Sequence, residues 1–181
     1  MRKLSWDEID RPDPDAVADL PKHPVRLVLH NVRSIYNVGS IFRTSDAARI
    51  DHIHLTDYTG TPDHPDMHKT ALGAQDVVAW SHHETAEEVV GDLAERGYTI
   101  GALEITDAPT PPSEVQAAHF PLCLIVGNEV HGVEDSLISR ADVAFELPQY
   151  GAKQSINVAV AYGIAIYEIV HQYRQLNGPP T

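Results

Sequence analysis

Three stretches of the chain combine polar side chains and turns in a way that plain scaffold does not require. In NVRSIYNVGSIFRTSDA, from Asn31, a polar loop follows an apolar run, and Asn37 stands just before helical spacing that carries Arg43. Asn is a common helix cap, and Arg a common occupant of a solvated face. In LCLIVGNEVHGV, from Leu122, a fully apolar run empties into Gly127, Asn128 and Glu129, with Gly132 shortly after. Loops at the carboxyl ends of parallel strands are where α/β folds bind ligands, and a glycine there lets a ligand approach the backbone. An ordinary strand-to-helix turn is the competing explanation. In ELPQYGAKQSINVAVAYGIAIYE, from Glu146, Leu147 and Pro148 end a strand, and Ser155 opens a nearly all-apolar helix as a fitting N-cap. Asn157, one turn into that helix, is an amide that needs partners if it is buried.

Other chemistries find no support. No G-x-G-x-x-G follows an apolar run, and GNEVHG has Val133 and Glu134 where a phosphate-binding loop needs Lys and Ser or Thr. A nucleophile elbow is missing too. Among the 11 histidines, His52 with His54 and His64 with His68 have chelating spacings. Neither pair brings a cysteine or a third ligand, so no metal site is expected. The single cysteine, Cys123, lies inside FPLCLIVG and reads as a small buried hydrophobe.

The elements that would position these residues follow from periodicity. VRLVLH (25–30), HIHLTD from His52, DVVAW, YTIGALE, FPLCLIVG and DVAFELP read as short strands. Helical spacing begins at Gly39, at Glu84 (ended by Gly97), in SLISRAD, and from Ser155 to about Arg174. Strands that are almost continuously apolar and alternate with helices predict an α/β fold, a parallel sheet with helices on both faces. Residues 1–23, with Pro12, Pro14 and Pro21 among several acids, read as an N-terminal arm, 24–176 as one domain, and 177–181 as a tail. The arm lacks an apolar leader, and the greasy stretch from Ser155 is interrupted by Asn157 and Glu168. A protein without membrane association, in a reducing cytoplasm, is expected.

Together, in order and spacing, NVGSIFR (37–43), GNEVHG (127–132) and LPQYGAKQSIN (147–157) resemble the three motifs of the SpoU/TrmH-like branch of the SPOUT RNA methyltransferases. KTALGAQDVVAW, from Lys69, is similar to the family's connecting region, and the resemblance spans roughly residues 25–174. It implies a C-terminal deep trefoil knot, a rarity among proteins. It also implies S-adenosylmethionine as cofactor and transfer of its methyl group to a ribose 2'-hydroxyl of RNA, with tRNA favoured over rRNA. By motif match, Gly127, Asn128, Leu147, Pro148 and Ile156 would line the cofactor pocket. Leu147 and Ile156 exchange the family's commoner Ile and Leu, a swap that keeps apolar contact. Arg43 matches the catalytic arginine, with Asn37, Glu129, Ser155 and Asn157 positioning it and the ribose. A guanidinium stays protonated, so the role expected of Arg43 is to bind phosphate and stabilise the developing alkoxide.

The family works as homodimers, and the apolar girdle of Val158, Val160, Ala161, Ile164, Ile166 and Ile169 is too full for a surface helix, which fits a dimer, with core burial within one subunit as the competing explanation. A catalytically silent knotted dimer that binds RNA or cofactor is the alternative. With 26 acidic against 13 basic residues and a net charge of -13, RNA affinity must come from a local patch. Arg33, Arg43, Arg49, Lys69 and Lys153 are the residues expected to form it, in or near the motif loops.

Overall fold

Alternate residues of the two most apolar runs, VRLVLH and LCLIV, must point to opposite faces of a sheet, so both faces need cover. The computed structural model supplies it; it describes residues 1–10, 12–17 and 19–181, and Arg11 and Ala18 of the expected arm lie outside the described residues. Seven strands, β1 (His23–His30), β2 (Ile50–Thr56), β3 (Trp80–His83), β4 (Thr99–Leu103), β5 (Pro109–Thr110), β6 (Leu122–Val126) and β7 (Val143–Phe145), form one sheet in the order β3-β2-β1-β6-β4-β7-β5. Every pairing is parallel. The helices are α1 (Pro14–Val17), α2 (Ile35–Ala48), α3 (His68–Ala71), α4 (Ala86–Glu95), α5 (Asp135–Ile138) and α6 (Val158–Asn177).

Two cores result. Leu27 and Leu29 of β1 and Leu124 and Val126 of β6 join Ile41 and Phe42 of α2 and Tyr162, Ile166 and Ile169 of α6. On the other face, Val28, Cys123 and Ile125 pack with Val89, Val90 and Leu93 of α4 and Leu137 of α5. Burial pushes the Cys123 thiol up to about 12, consistent with its reading as a hydrophobe. Because the strands are parallel, all their carboxyl ends share one edge, and the loops after β1, β4, β6 and β7 all leave from it.

Several boundaries differ from expectation, each for a local reason. α2 begins at Ile35 rather than Gly39, because Ser34 caps it: its backbone is extended and its Oγ accepts the Asn37 N–H. Asn37 therefore lies inside the first turn and not before the helix. α6 begins at Val158, capped by Asn157, whose side chain accepts from the Ala159 and Val160 N–H groups. Ser155 is thus not the cap, and Asn157 is an exposed terminus rather than a buried amide. The strand expected in DVVAW forms later, at Trp80–His83, after a 3-10 turn at Ala74–Asp76. The two-residue β5 was missed because its proline suits only a sheet edge. Among the described residues, no helix is long and apolar enough to cross a membrane.

Candidate active site

At the carboxyl edge a single carboxylate gathers the loops. Glu129, following β6, accepts the backbone N–H groups of Arg33 at 2.9 Å and Ser34 at 3.0 Å, just after β1. It also accepts Nδ2 of Asn37 at 2.9 Å. The Oδ1 of Asn37 in turn accepts from Nδ2 of Asn157 at 3.1 Å. Asn157 Oδ1 is engaged with the first turn of α6, accepting Ala159 N–H at 2.9 Å. One hydrogen-bonded chain, Glu129–Asn37–Asn157, therefore ties together all three motifs. Partial burial raises the pKa of Glu129, but the hydrogen bonds from Arg33, Ser34 and Asn37 outweigh it and leave the carboxyl below its ordinary value. Arg33, Ser34, Asn37, Glu129, Val130 and Asn157 line a single open cleft.

The loop after β6 is folded back on itself. Asn128, 6% exposed, exchanges backbone hydrogen bonds with Gly132, while its Oδ1 accepts the N–H groups of Val130 and His131. A Cβ on Gly127 would collide with the Gly132 backbone. One on Gly132, which sits at φ +69°, would collide with the Glu104 carboxylate. Both glycines are therefore needed by the tight loop itself, whereas the sequence suggested ligand approach as the reason. Glu104, after β4, accepts the Val133 N–H at 2.8 Å and so braces the loop from the neighbouring strand.

Beside the cleft lies a cavity of about 320 Å³, lined by Gly127, Asn128, Leu147, Ile156 and Ser155 among others. Its walls combine Leu103, Val126, Phe145, Val158 and Ala161 with the carboxylates of Glu104, Glu129 and Glu146. Apolar walls with a few acids fit a flat purine joined to a positively charged sulfonium side chain, so the residues present suit S-adenosylmethionine.

Asn37, Glu129 and Asn157 meet directly, and Ser155 lies on the cavity wall with Gly127, Asn128, Leu147 and Ile156. Pro148, between the lining residues Leu147 and Gln149, is exposed and is not itself part of the cavity wall. Arg43 is exposed on α2, six residues beyond Asn37, which is about 120° further round the helix. It takes no part in the hydrogen-bonded chain. Of the expected cationic patch, Arg33 borders the cleft and Lys153 is exposed in the loop before α6. Lys69 is paired with Asp66 at 2.6 Å. Arg49 departs from expectation: α2 runs away from the site, carrying Arg49 roughly 18 Å from Asn37 along the axis. There its carbonyl accepts the His23 N–H at the start of β1. Sequence reasoning missed Ser34 and Glu104; a carboxylate directly after the apolar YTIGAL run was the available signal for Glu104. His52, His54 and His83 cluster around Ser81 on β2 and β3, outside this site. Among the described residues, no three His, Cys, Asp or Glu side chains are grouped to hold a metal ion.

A cleft of amides and a carboxylate beside a partly enclosed cavity, both at the carboxyl edge of a parallel sheet, defines an α/β protein built to bind a ligand there. The profile of the SpoU rRNA methylase family matches residues 24–167, and the chain belongs to that family. It is 30% identical over 146 residues to a tRNA (guanosine(18)-2'-O)-methyltransferase of Thermus thermophilus, covering 81% of this chain and 74% of that protein. Among solved structures, the Aquifex aeolicus TrmH/SpoU tRNA modifying enzyme superposes with a TM-score of 0.80 at 26% identity, covering 90% of this chain and 81% of that one. An AdoMet-bound rRNA methyltransferase from Sinorhizobium meliloti does so with a TM-score of 0.76, also at 26% identity, covering 88% of this chain and 60% of that one.

Proposed function

We propose that the protein transfers the methyl group of S-adenosylmethionine to a ribose 2'-hydroxyl in RNA, with tRNA favoured over rRNA. The observation that carries this reading is the Glu129–Asn37–Asn157 chain, which joins the cleft to the cavity with one continuous polar edge. Family membership and the named activity of the Thermus relative support it. Gly127, Asn128, Leu147, Pro148 and Ile156 would hold the cofactor. When bound, it supplies an electrophilic methyl group on a sulfonium.

The protein's own task is alignment and charge. Asn37 and Asn157 are fixed by their mutual bond and by Glu129, so they present polar edges to a ribose without reorganising. Arg43, exposed and without a hydrogen bond or ion pair among the described residues, is available to a phosphate of the RNA. It would stabilise the negative charge that grows on the 2'-oxygen as its proton leaves. Ser155 extends the polar rim at the cavity, Arg33 adds positive charge on the wall of the adjoining cleft, and Lys153 is exposed in the loop before α6.

Residues 24–176 form the catalytic unit in this reading, with 1–23 as an arm, 177–181 as a tail, and the segment after β6 threaded as the family's trefoil knot. The unit pairs with a second copy in the cytoplasm. An open apolar stripe on α6 supports the pairing: Val160, Ile164 and Tyr167 are 53%, 45% and 52% exposed, while the opposite face buries Tyr162, Ile166 and Ile169. The stripe continues through Ile156, 40% exposed.

Transfer of labelled methyl from S-adenosylmethionine to bulk tRNA and rRNA, followed by nucleoside analysis, tests the reaction. A 2'-O-methylated nucleoside that disappears with Arg43→Ala is the expected result. Cofactor binding without transfer to either RNA would favour a silent binding dimer instead. Absence of cofactor binding would overturn the assignment of Gly127, Leu147 and Ile156.

A further inference from the structure

We propose that Tyr58 is a stacking platform for an unpaired base of the RNA, next to the nucleotide that enters the cleft. The proposal rests on the methyltransferase reading above and adds a specificity residue to it. Tyr58 follows β2 at the carboxyl edge and leaves 61% of its surface in solvent. An aromatic side chain so exposed usually sits on a loose loop, but this one is held from three sides. Before it, Asp57 takes a left-handed backbone (φ 56°), a turn conformation that Asp adopts more readily than most residues with a side chain, and its N–H is bound by the His83 carbonyl at 3.2 Å. After it, Thr59 is buried, donating its hydroxyl to the Leu29 carbonyl at 2.9 Å and accepting the Val32 N–H at 3.1 Å. At its tip, the phenol oxygen accepts Nδ2 of Asn128 at 3.1 Å.

Asn128 adjoins Glu129 in sequence and also donates to the Asn31 carbonyl at 2.8 Å, so the ring is fixed to the same loop that builds the cleft. Arg33, on the cleft wall with its N–H held by Glu129, is exposed and free of ion pairs among the described residues. A rigid, solvent-facing ring and an exposed arginine, both tied to the Asn128–Glu129 loop, offer a face to a base and a charge to its phosphate. Single-stranded loops and bulges, whose bases are free to splay out, are the RNA elements such a surface accepts, whereas a paired duplex keeps its bases stacked inside. Base stacking on aromatics tolerates sequence, so Tyr58 selects for an unpaired state more than for a given base.

The test is steady-state methyl transfer to unfractionated tRNA by wild type, Tyr58→Ala, Tyr58→Phe and Tyr58→Trp, with cofactor affinity measured separately by calorimetry. Tyr58→Ala should raise KM for tRNA about tenfold with kcat and cofactor affinity little changed, and Tyr58→Phe and Tyr58→Trp should restore KM to within about twofold. If Tyr58→Phe is as impaired as Tyr58→Ala, or if both lose cofactor affinity, the residue is only a brace for Asn128 and the proposal fails. An unchanged KM in Tyr58→Ala overturns it as well. A wild type that transfers no methyl to tRNA or rRNA would overturn the methyltransferase reading itself, a result distinct from either of these.

Discussion

Glu129 offers two oxygens to three donors, and that asymmetry makes its charge indispensable. Oε2 accepts the Arg33 N–H, and Oε1 accepts both the Ser34 N–H and the Asn37 amide. In Glu129→Gln, either orientation of the new amide turns an NH2 toward an N–H donor, leaving at least one hydrogen bond replaced by repulsion. Loss of a charge-assisted hydrogen bond in a partly buried site costs about 2 kcal/mol, which in a chain of this size lowers Tm by roughly 5 °C. Because a neutral amide also holds Asn37 less firmly than the carboxylate, kcat/KM for methyl transfer should fall about a hundredfold, the scale seen when one preorganised polar contact is removed from a site. Calorimetry and steady-state kinetics on the same preparation check both outcomes. At this scale the motif residues were legible in the sequence, because amides and acids at strand ends are unusual enough to notice. Their partners were not: Ser34 looks like any loop serine until its hydroxyl is seen capping α2.

α6 presents two apolar faces through its periodicity. Its buried face, Tyr162, Ala165, Ile166, Ile169 and Val170, packs on the core, and Tyr162 Oη is bonded to Ser45 of α2 at 2.7 Å. The apolar residues left over, Val160, Ile164 and Tyr167, fall on a second face at spacings of four and three, the spacing that places side chains in one row. Three large apolar side chains in a row, continuous with Ile156 at the cavity, are best covered by another copy. If the proposed dimer forms through this row, Ile164→Asp, which changes an exposed position and spares the core, should convert it to a monomer while leaving the circular dichroism spectrum and Tm nearly unchanged. Analytical ultracentrifugation at micromolar concentration reads this directly. A wild type that already sediments as a monomer would remove the dimer from the proposed function.

Across the whole molecule, histidines set an acid limit to stability. Burial, with help from neighbouring His52 and His83, pushes His54 down to about 3, and burial also lowers His52 and His23. These groups are neutral in the folded chain and take up protons more readily when unfolded, near their ordinary value of about 6.5. Their contribution is fully present above that value and is lost as pH falls through the interval toward the folded value. His54 alone should cost about 1.4 kcal/mol for each pH unit between roughly 6 and 4. The urea midpoint should therefore drop between pH 7 and 5, before most carboxylates titrate, and His54→Gln should flatten the slope. The net charge of -13 acts in the same molecule on a longer range. Surface acids repel one another and RNA alike, so in the proposed function the exposed cations Arg33, Arg43 and Lys153 are the ones left to supply a local attraction.

What the sequence by itself determined is the alternation of buried strands and amphipathic helices, and hence a parallel sheet whose loops meet at one edge, together with three motifs set on those loops. Hydrophobic pattern and turn chemistry are local, acting over a few residues, and can be read in order along the chain. Only the tertiary structure decided that Asn157 caps α6 and reaches Asn37, a partner 120 residues away, or that Glu129 closes on Asn37 across 92. It alone showed that Arg49, expected beside the motifs, lies at the far end of α2, and that Gly127 and Gly132 serve the folding of their own loop. Hydrogen bonds at 3 Å depend on how whole elements pack, and the packing of α2 against α6 and β6 is a property of the assembled sheet that no short window of residues contains.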